Sequence, residues 1–201
     1  MPKKGLTVWF TGLSAAGKTT IALAVEKILK DRGIKVERLD GDTVRQSLTK
    51  DLGFSKEDRD KNISRVSFVA KLLTRNNVIV LCSFISPYRE ERNKARETIG
   101  SFIEVYVKAS VEECSKRDPK GLYKKALAGE IPHFTGVSDP YEEPEHADLI
   151  CNTLKETEEE SVQKVISYLE DNGYIEKSGD DVYSDEEREK VQKRLEDLGY
   201  I

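Results

Sequence analysis

Nine consecutive residues, Gly12-Leu13-Ser14-Ala15-Ala16-Gly17-Lys18-Thr19-Thr20, contain the pattern G-x-x-x-x-G-K-S/T. That spacing builds a turn whose successive backbone N–H groups point inward at a phosphate chain. Gly12 and Gly17 permit close approach of the backbone, and Lys18 reaches the β- and γ-phosphate oxygens. Thr19 offers its hydroxyl to Mg²⁺, and the helix that follows aims its positive end at the phosphates. The whole stretch, with Leu13, Ser14, Ala15, Ala16 and Thr20 completing it, therefore reads as a binding site for Mg-ATP. Such a loop reports the triphosphate and not the reaction, which a second site must decide.

Leu39-Asp40-Gly41-Asp42-Thr43-Val44-Arg45 supplies two carboxylates and a guanidinium. Carboxylates beside a triphosphate can orient Mg²⁺ or take a proton from an attacking hydroxyl. Asp42 could equally cap a helix, and the local sequence leaves those readings even. Asp40 is the candidate to meet the metal, because the apolar run Val78 to Phe84 ends in Cys82-Ser83-Phe84 and offers no acid. Farther on, Arg59 and Asn62 stand three apart on a helix and share a face, with Phe54 just before them. An aromatic plate, two arginines and an amide suit a nucleotide-like anion, the ring stacking on a base and the guanidinium gripping the acid. On its own, that segment reads better as an ordinary amphipathic helix with its charges in water.

These groups need a scaffold that brings them together. Leu6 to Phe10 reads as a buried strand running into the glycine-rich turn, and Thr19 to Lys30 carries apolar residues at helical spacing until Gly33. Further strands are predicted at Lys35 to Asp40, Val78 to Phe84, Phe102 to Val107 and Leu149 to Cys151. Ser55 with Asp58, Ser110 with Glu113, and Thr157 with Glu160 mark helix starts. Strand and helix alternate with crossovers long enough to hold a helix. The expectation is a three-layer α/β sandwich, a mostly parallel sheet of the P-loop nucleotide-hydrolase and kinase type, with ligands at the carboxyl ends of the strands. One domain covers 1–175. Residues 176–201 read as an appended helix, capped by Ser184 and Glu187, with Val191, Leu195 and Leu198 on one side.

The bulk numbers narrow the classes. With 201 residues the chain can bury one good core, and 35% charged residues give it a heavily solvated surface. A net charge of −4 argues against a nucleic-acid binder. Cys82, Cys114 and Cys151 are odd in number and scattered, which fits a reducing cytoplasm better than a disulfide framework or a zinc site. No apolar stretch near Met1 is long enough for a signal peptide or a membrane span.

Several segments in register add a resemblance. D-G-D-x-V-R at Asp40 to Arg45 and L-G-F-S-x-x-D-R-x-x-N-I at Leu52 to Ile63 are followed by Ser83-Phe84-Ile85-Ser86-Pro87-Tyr88-Arg89. Then come Arg117-Asp118-Pro119-Lys120-Gly121-Leu122-Tyr123 and Phe134-Thr135-Gly136. From about Leu6 to the last core helix the chain resembles adenylylsulfate (APS) kinases. The resemblance implies transfer of the γ-phosphoryl group of ATP to the 3′-hydroxyl of adenosine 5′-phosphosulfate, giving 3′-phosphoadenylyl sulfate and ADP. It implies that Phe54 and Phe134 sandwich the acceptor adenine, that Arg45, Arg59 and Asn62 hold its phosphosulfate and ribose, and that Ile85 and Ser86 line the pocket. Asp42 would approach the acceptor ribose and Asp40 would place Mg²⁺ or accept the proton, a division the resemblance leaves open. Arg117, Lys120, Lys124 and Lys125 would form a cationic lid near 115–136. Ser86 is the family serine described as a phosphoserine intermediate, which direct in-line transfer does not require. Family precedent also implies a homodimer and a functional link to ATP sulfurylase.

The chain departs from the family pattern at Ala15 and His133, where glycine is common, and at Thr43, Gln46, Ser47 and Ser64. Two rival readings remain: another small-molecule P-loop kinase, which would lack the paired phenylalanines, and a non-catalytic ATP-binding regulatory module. ATP turnover that depends on APS separates all three.

Overall fold

The computed structural model describes residues 4–177, so the expected helix after 176, with Ser184 and Glu187, lies outside the described residues. Five strands are formed: β1 (Leu6–Thr11), β2 (Val36–Asp40), β3 (Ile79–Ser83), β4 (Phe102–Lys108) and β5 (Leu149–Asn152). They lie side by side in the order β2-β3-β1-β4-β5. Every pairing among them is parallel, where the sequence reading expected a mostly parallel sheet. A strand covered on both faces has no polar side, which is why all six residues of β1 are buried.

Among the described residues there are seven helices, six between strands and one after the last: α1 (Lys18–Asp31), α2 (Gly41–Gln46), α3 (Lys56–Arg75), α4 (Arg89–Ile99), α5 (Val111–Arg117), α6 (Leu122–Leu127) and α7 (Glu158–Asp171). The two-residue period of β1 divides the core. Leu6, Val8 and Phe10 pack with Ile21, Val25 and Leu29 of α1 and Val165, Ile166 and Leu169 of α7. Trp9 points the other way, into Ile63, Val66 and Ala70 of α3 and Ala95 of α4. Helix, sheet and helix make the three layers. Cys82, Cys114 and Cys151 are buried free thiols, and no described helix is long and apolar enough to cross a membrane.

The helix starts follow the local chemistry. Ser55 accepts the Asp58 N–H at the head of α3, Ser110 accepts the Glu113 N–H at α5, and Thr157 with Glu160 closes a full capping box on α7. Of the two readings left open for Asp42, capping is set aside: the cap of α2 is Asp40, whose carboxylate accepts the Asp42 N–H at 3.0 Å.

Candidate active site

The phosphate loop leaves the end of β1 and turns into α1. At Gly12 φ is 149°, and an added Cβ would come within 2.4 Å of the Val107 carbonyl oxygen, so no other residue fits. Ala15 adopts φ 60°, the left-handed conformation that explains the glycine common at this position. Lys18 is only 8% exposed and donates to the carbonyls of Gly12 at 3.0 Å and Leu13 at 2.7 Å. Burial pulls its pKa down to about 8.

Oxygen donors stand beside the loop. Thr19 Oγ1 donates to Asp40 Oδ2 at 2.8 Å, and Arg38 stands 3.5 Å from the same carboxylate oxygen. Asp40 is buried and has partners at both oxygens, whereas Asp42 is exposed and forms an ion pair with Lys120. A hydroxyl and a carboxylate beside the phosphate loop are the hard oxygen donors Mg²⁺ prefers.

Across the cleft, Arg45 donates to the Leu52 and Gly53 carbonyls and lies 4.3 Å from the Phe54 ring centroid. Arg59 donates to the Phe54 carbonyl at 3.0 Å and to the His133 carbonyl at 2.6 Å. Burial pushes both guanidinium pKa values down, and the charge of Arg59 lowers that of Arg45 further, an arrangement an anion would relieve. Phe54 is 58% exposed although Arg45 lies over its ring, while Phe134 is buried and packs edge-on to Tyr123. Asn62 Oδ1, Ser83 Oγ and Thr135 Oγ1 are buried without a partner among the described residues, and all three residues line the cleft. Each such atom costs about 1–3 kcal/mol until something supplies its hydrogen bond.

The stretch after β3 is held from beneath. Thr11 Oγ1 donates to the Ile85 carbonyl at 2.8 Å, and Arg92 donates to the Ser86 carbonyl at 2.7 Å while pairing with Glu104 at 2.6 Å. The Ser86 hydroxyl accepts from Trp9 Nε1 at 3.0 Å and donates to Thr11 Oγ1 at 3.1 Å, and the residue is 3% exposed. The residue lines the cleft, but its hydroxyl is engaged with Trp9 and Thr11.

These groups border one cleft of about 780 Å³. Among the expected site residues it gathers Ser14, Ala15, Gly17, Lys18, Thr19 and Thr20 of the loop. Arg45, Phe54, Arg59, Asn62, Ile85 and Phe134 line it too, with Asp40, Asp42, Arg117 and Lys120 also on its walls. Gly12, Leu13 and Ala16 are buried behind the loop, and Lys124 and Lys125 are exposed on α6 outside the cleft. Thr43, Gln46, Ser47 and Ser64, which depart from the family pattern, are exposed and off its walls. Sequence reasoning missed Thr153, which accepts two hydrogen bonds from Arg117 and joins Glu156 and Glu158 on the walls. The signal was its place just past β5, where parallel sheets hold ligands.

Fold and site together define a P-loop kinase, in which the phosphate loop shares one cleft with an aromatic, arginine-bearing wall and two carboxylates. A family model described as adenylylsulphate kinase matches residues 4–152, and the chain belongs to that family. An adenylyl-sulfate kinase of Halothermothrix orenii is 68% identical over 173 residues, covering 86% of this chain and 94% of that one. One from Picosynechococcus is 58% identical over 175 residues, covering 87% and 99%. Among solved structures, the Mycobacterium tuberculosis APS kinase in complex with AMPPNP and APS superposes with a TM-score of 0.81 at 46% identity, over 84% of this chain and 99% of that one.

Proposed function

We propose that this chain is an adenylylsulfate kinase, moving the γ-phosphoryl group of ATP to the 3′-hydroxyl of adenosine 5′-phosphosulfate to give 3′-phosphoadenylyl sulfate and ADP. The observation that supports the reading is one cleft lined together by Lys18, Asp42, Phe54 and Phe134.

In this reading the loop from Gly12 to Thr20 binds ATP, and Arg117 with Thr153 forms the wall near its base. Thr19 and Asp40 would hold Mg²⁺, which neutralises phosphate charge when bound. Phe54 and Phe134 take the acceptor adenine, and Arg45, Arg59 and Asn62 take its phosphosulfate and ribose. The Ile85 and Ser86 backbone fixes the depth of the pocket. Asp42, unlike Asp40, has no backbone group to serve, so it accepts the proton of the 3′-hydroxyl as the new oxygen–phosphorus bond forms and the bond to the β-phosphate oxygen breaks. Lys18 and Lys120 stabilise the charge developing on the transferring group. Transfer is direct, because the Ser86 hydroxyl is committed to Trp9 and Thr11.

The same reading places the enzyme in the cytoplasm, as a homodimer, functionally linked to ATP sulfurylase, with a lid near 115–136 on a domain of 1–175. The three free thiols support a reducing compartment.

The test mixes purified protein with Mg-ATP and APS, with AMP and no-acceptor controls, in the absence of contaminating sulfurylase. APS-dependent ADP and 3′-phosphorylated product are expected. They should vanish in Lys18→Ala and fall about 10²–10⁴-fold in Asp42→Asn, the range for loss of a general base. No APS-dependent product from folded, ATP-binding protein sinks the assignment.

A further inference from the structure

Tyr123 lies outside the cleft and is 1% exposed, yet it touches both halves of the site from behind. With Ala126, it is one of the two residues of α6 that are buried. Its hydroxyl donates to the Ser14 carbonyl at 3.1 Å, beside the Cys114 thiol. Its ring meets Phe134 edge-to-face, with centroids 4.9 Å apart.

The Ser14 contact has a geometric consequence. In a trans peptide the C=O and the following N–H point in opposite directions. A carbonyl of Ser14 turned outward to Tyr123 therefore sends the Ala15 N–H toward the cleft that Ser14 and Ala15 line. Ala15 needs that hold. Its φ of 60° is a conformation glycine adopts freely and alanine does not, so the peptide plane is unsupported by its own preference.

We propose that Tyr123 is a positioning residue that sets the phosphate loop from its far side. Its hydroxyl fixes the Ser14–Ala15 peptide so that the Ala15 N–H faces the nucleotide phosphates, while its ring supports the Phe134 wall of the acceptor end. The hydroxyl thus serves ATP and the ring serves the acceptor, and the two functions are separable by substitution. This inference rests on the reading of the loop as the ATP site and of Phe134 as an acceptor wall.

Tyr123→Phe keeps the ring and removes only the hydroxyl. Calorimetry should show AMP-PNP binding weakened about three- to tenfold, the range for one hydrogen bond, with the melting temperature little changed. The KM for APS should stay within about twofold. Tyr123→Leu, which removes the ring as well, should raise the KM for APS in addition. AMP-PNP affinity within about twofold of wild type in Tyr123→Phe overturns the proposal, as does a parallel rise in both constants in that variant. The calorimetry does not depend on turnover. A wild-type chain inactive toward APS would refute the functional reading and with it the acceptor half of this inference, the hydroxyl's half still being decided by the calorimetry, and one that fails to bind AMP-PNP would refute both.

Discussion

The Lys18 ammonium donates to two carbonyls of its own loop, and burial has already lowered its pKa to about 8. Triphosphate oxygens would raise it again, because an opposite charge favours the protonated form. Above about pH 8, ATP binding should therefore take up a proton and weaken by up to about tenfold per pH unit, until the pKa of the complex is reached. Calorimetry in buffers of different ionisation enthalpy reads the proton directly; an affinity flat from pH 7 to 9.5 would contradict the lowered pKa. For folding the sign is opposite. The unfolded state holds the proton up to a pKa of 10.5, so the cost of burying charged Lys18 is relieved as pH rises from about 8 to 10.5. The motif around Lys18 was legible because each of its residues acts locally. The engagement of the Ser86 hydroxyl was not, since its partners Trp9 and Thr11 lie 77 and 75 positions away.

Among the elements, α4 and β4 carry a contact that shapes the site without touching it. Arg92 of α4 and Glu104 of β4 are buried partners, and the same guanidinium holds the Ser86 and Glu142 carbonyls. Arg92→Leu removes the close partner of Glu104, leaving only Arg96 at 3.9 Å, and frees the stretch after β3. Urea unfolding should register a loss of about 3–5 kcal/mol, with a smaller loss in the double variant Arg92→Leu, Glu104→Leu. Equal losses in the two would mean that the buried charge is not the cause. The helices were readable where a cap and an apolar stripe coincide, as at Ser55, Ser110 and Thr157. The cap of α2 was left open by the sequence, because Asp40 and Asp42 are chemically alike and two residues apart. Only the backbone path decides which one accepts an N–H.

For the whole molecule, the cleft joins the ends of several strands, so a ligand filling it bridges elements that unfolding must separate. AMP-PNP at about 100 times its Kd should stabilise the fold by about 2.7 kcal/mol, raising the melting temperature by about 5–10 °C in a domain of this size. A scanning calorimeter checks this, and no shift at saturation would mean that nucleotide does not prefer the folded cleft. The sequence by itself determined the strand and helix alternation, the phosphate loop and the second motif set, because periodicity, caps and glycine spacing act within a few residues. Tertiary structure alone decided that Asp40 holds Thr19 while Asp42 meets Lys120, that Thr153 completes the wall beside Arg117, and that Lys124 and Lys125 face solvent. Those pairings join residues tens of positions apart, and a parallel sheet brings them together through the order of its strands, which no local pattern encodes.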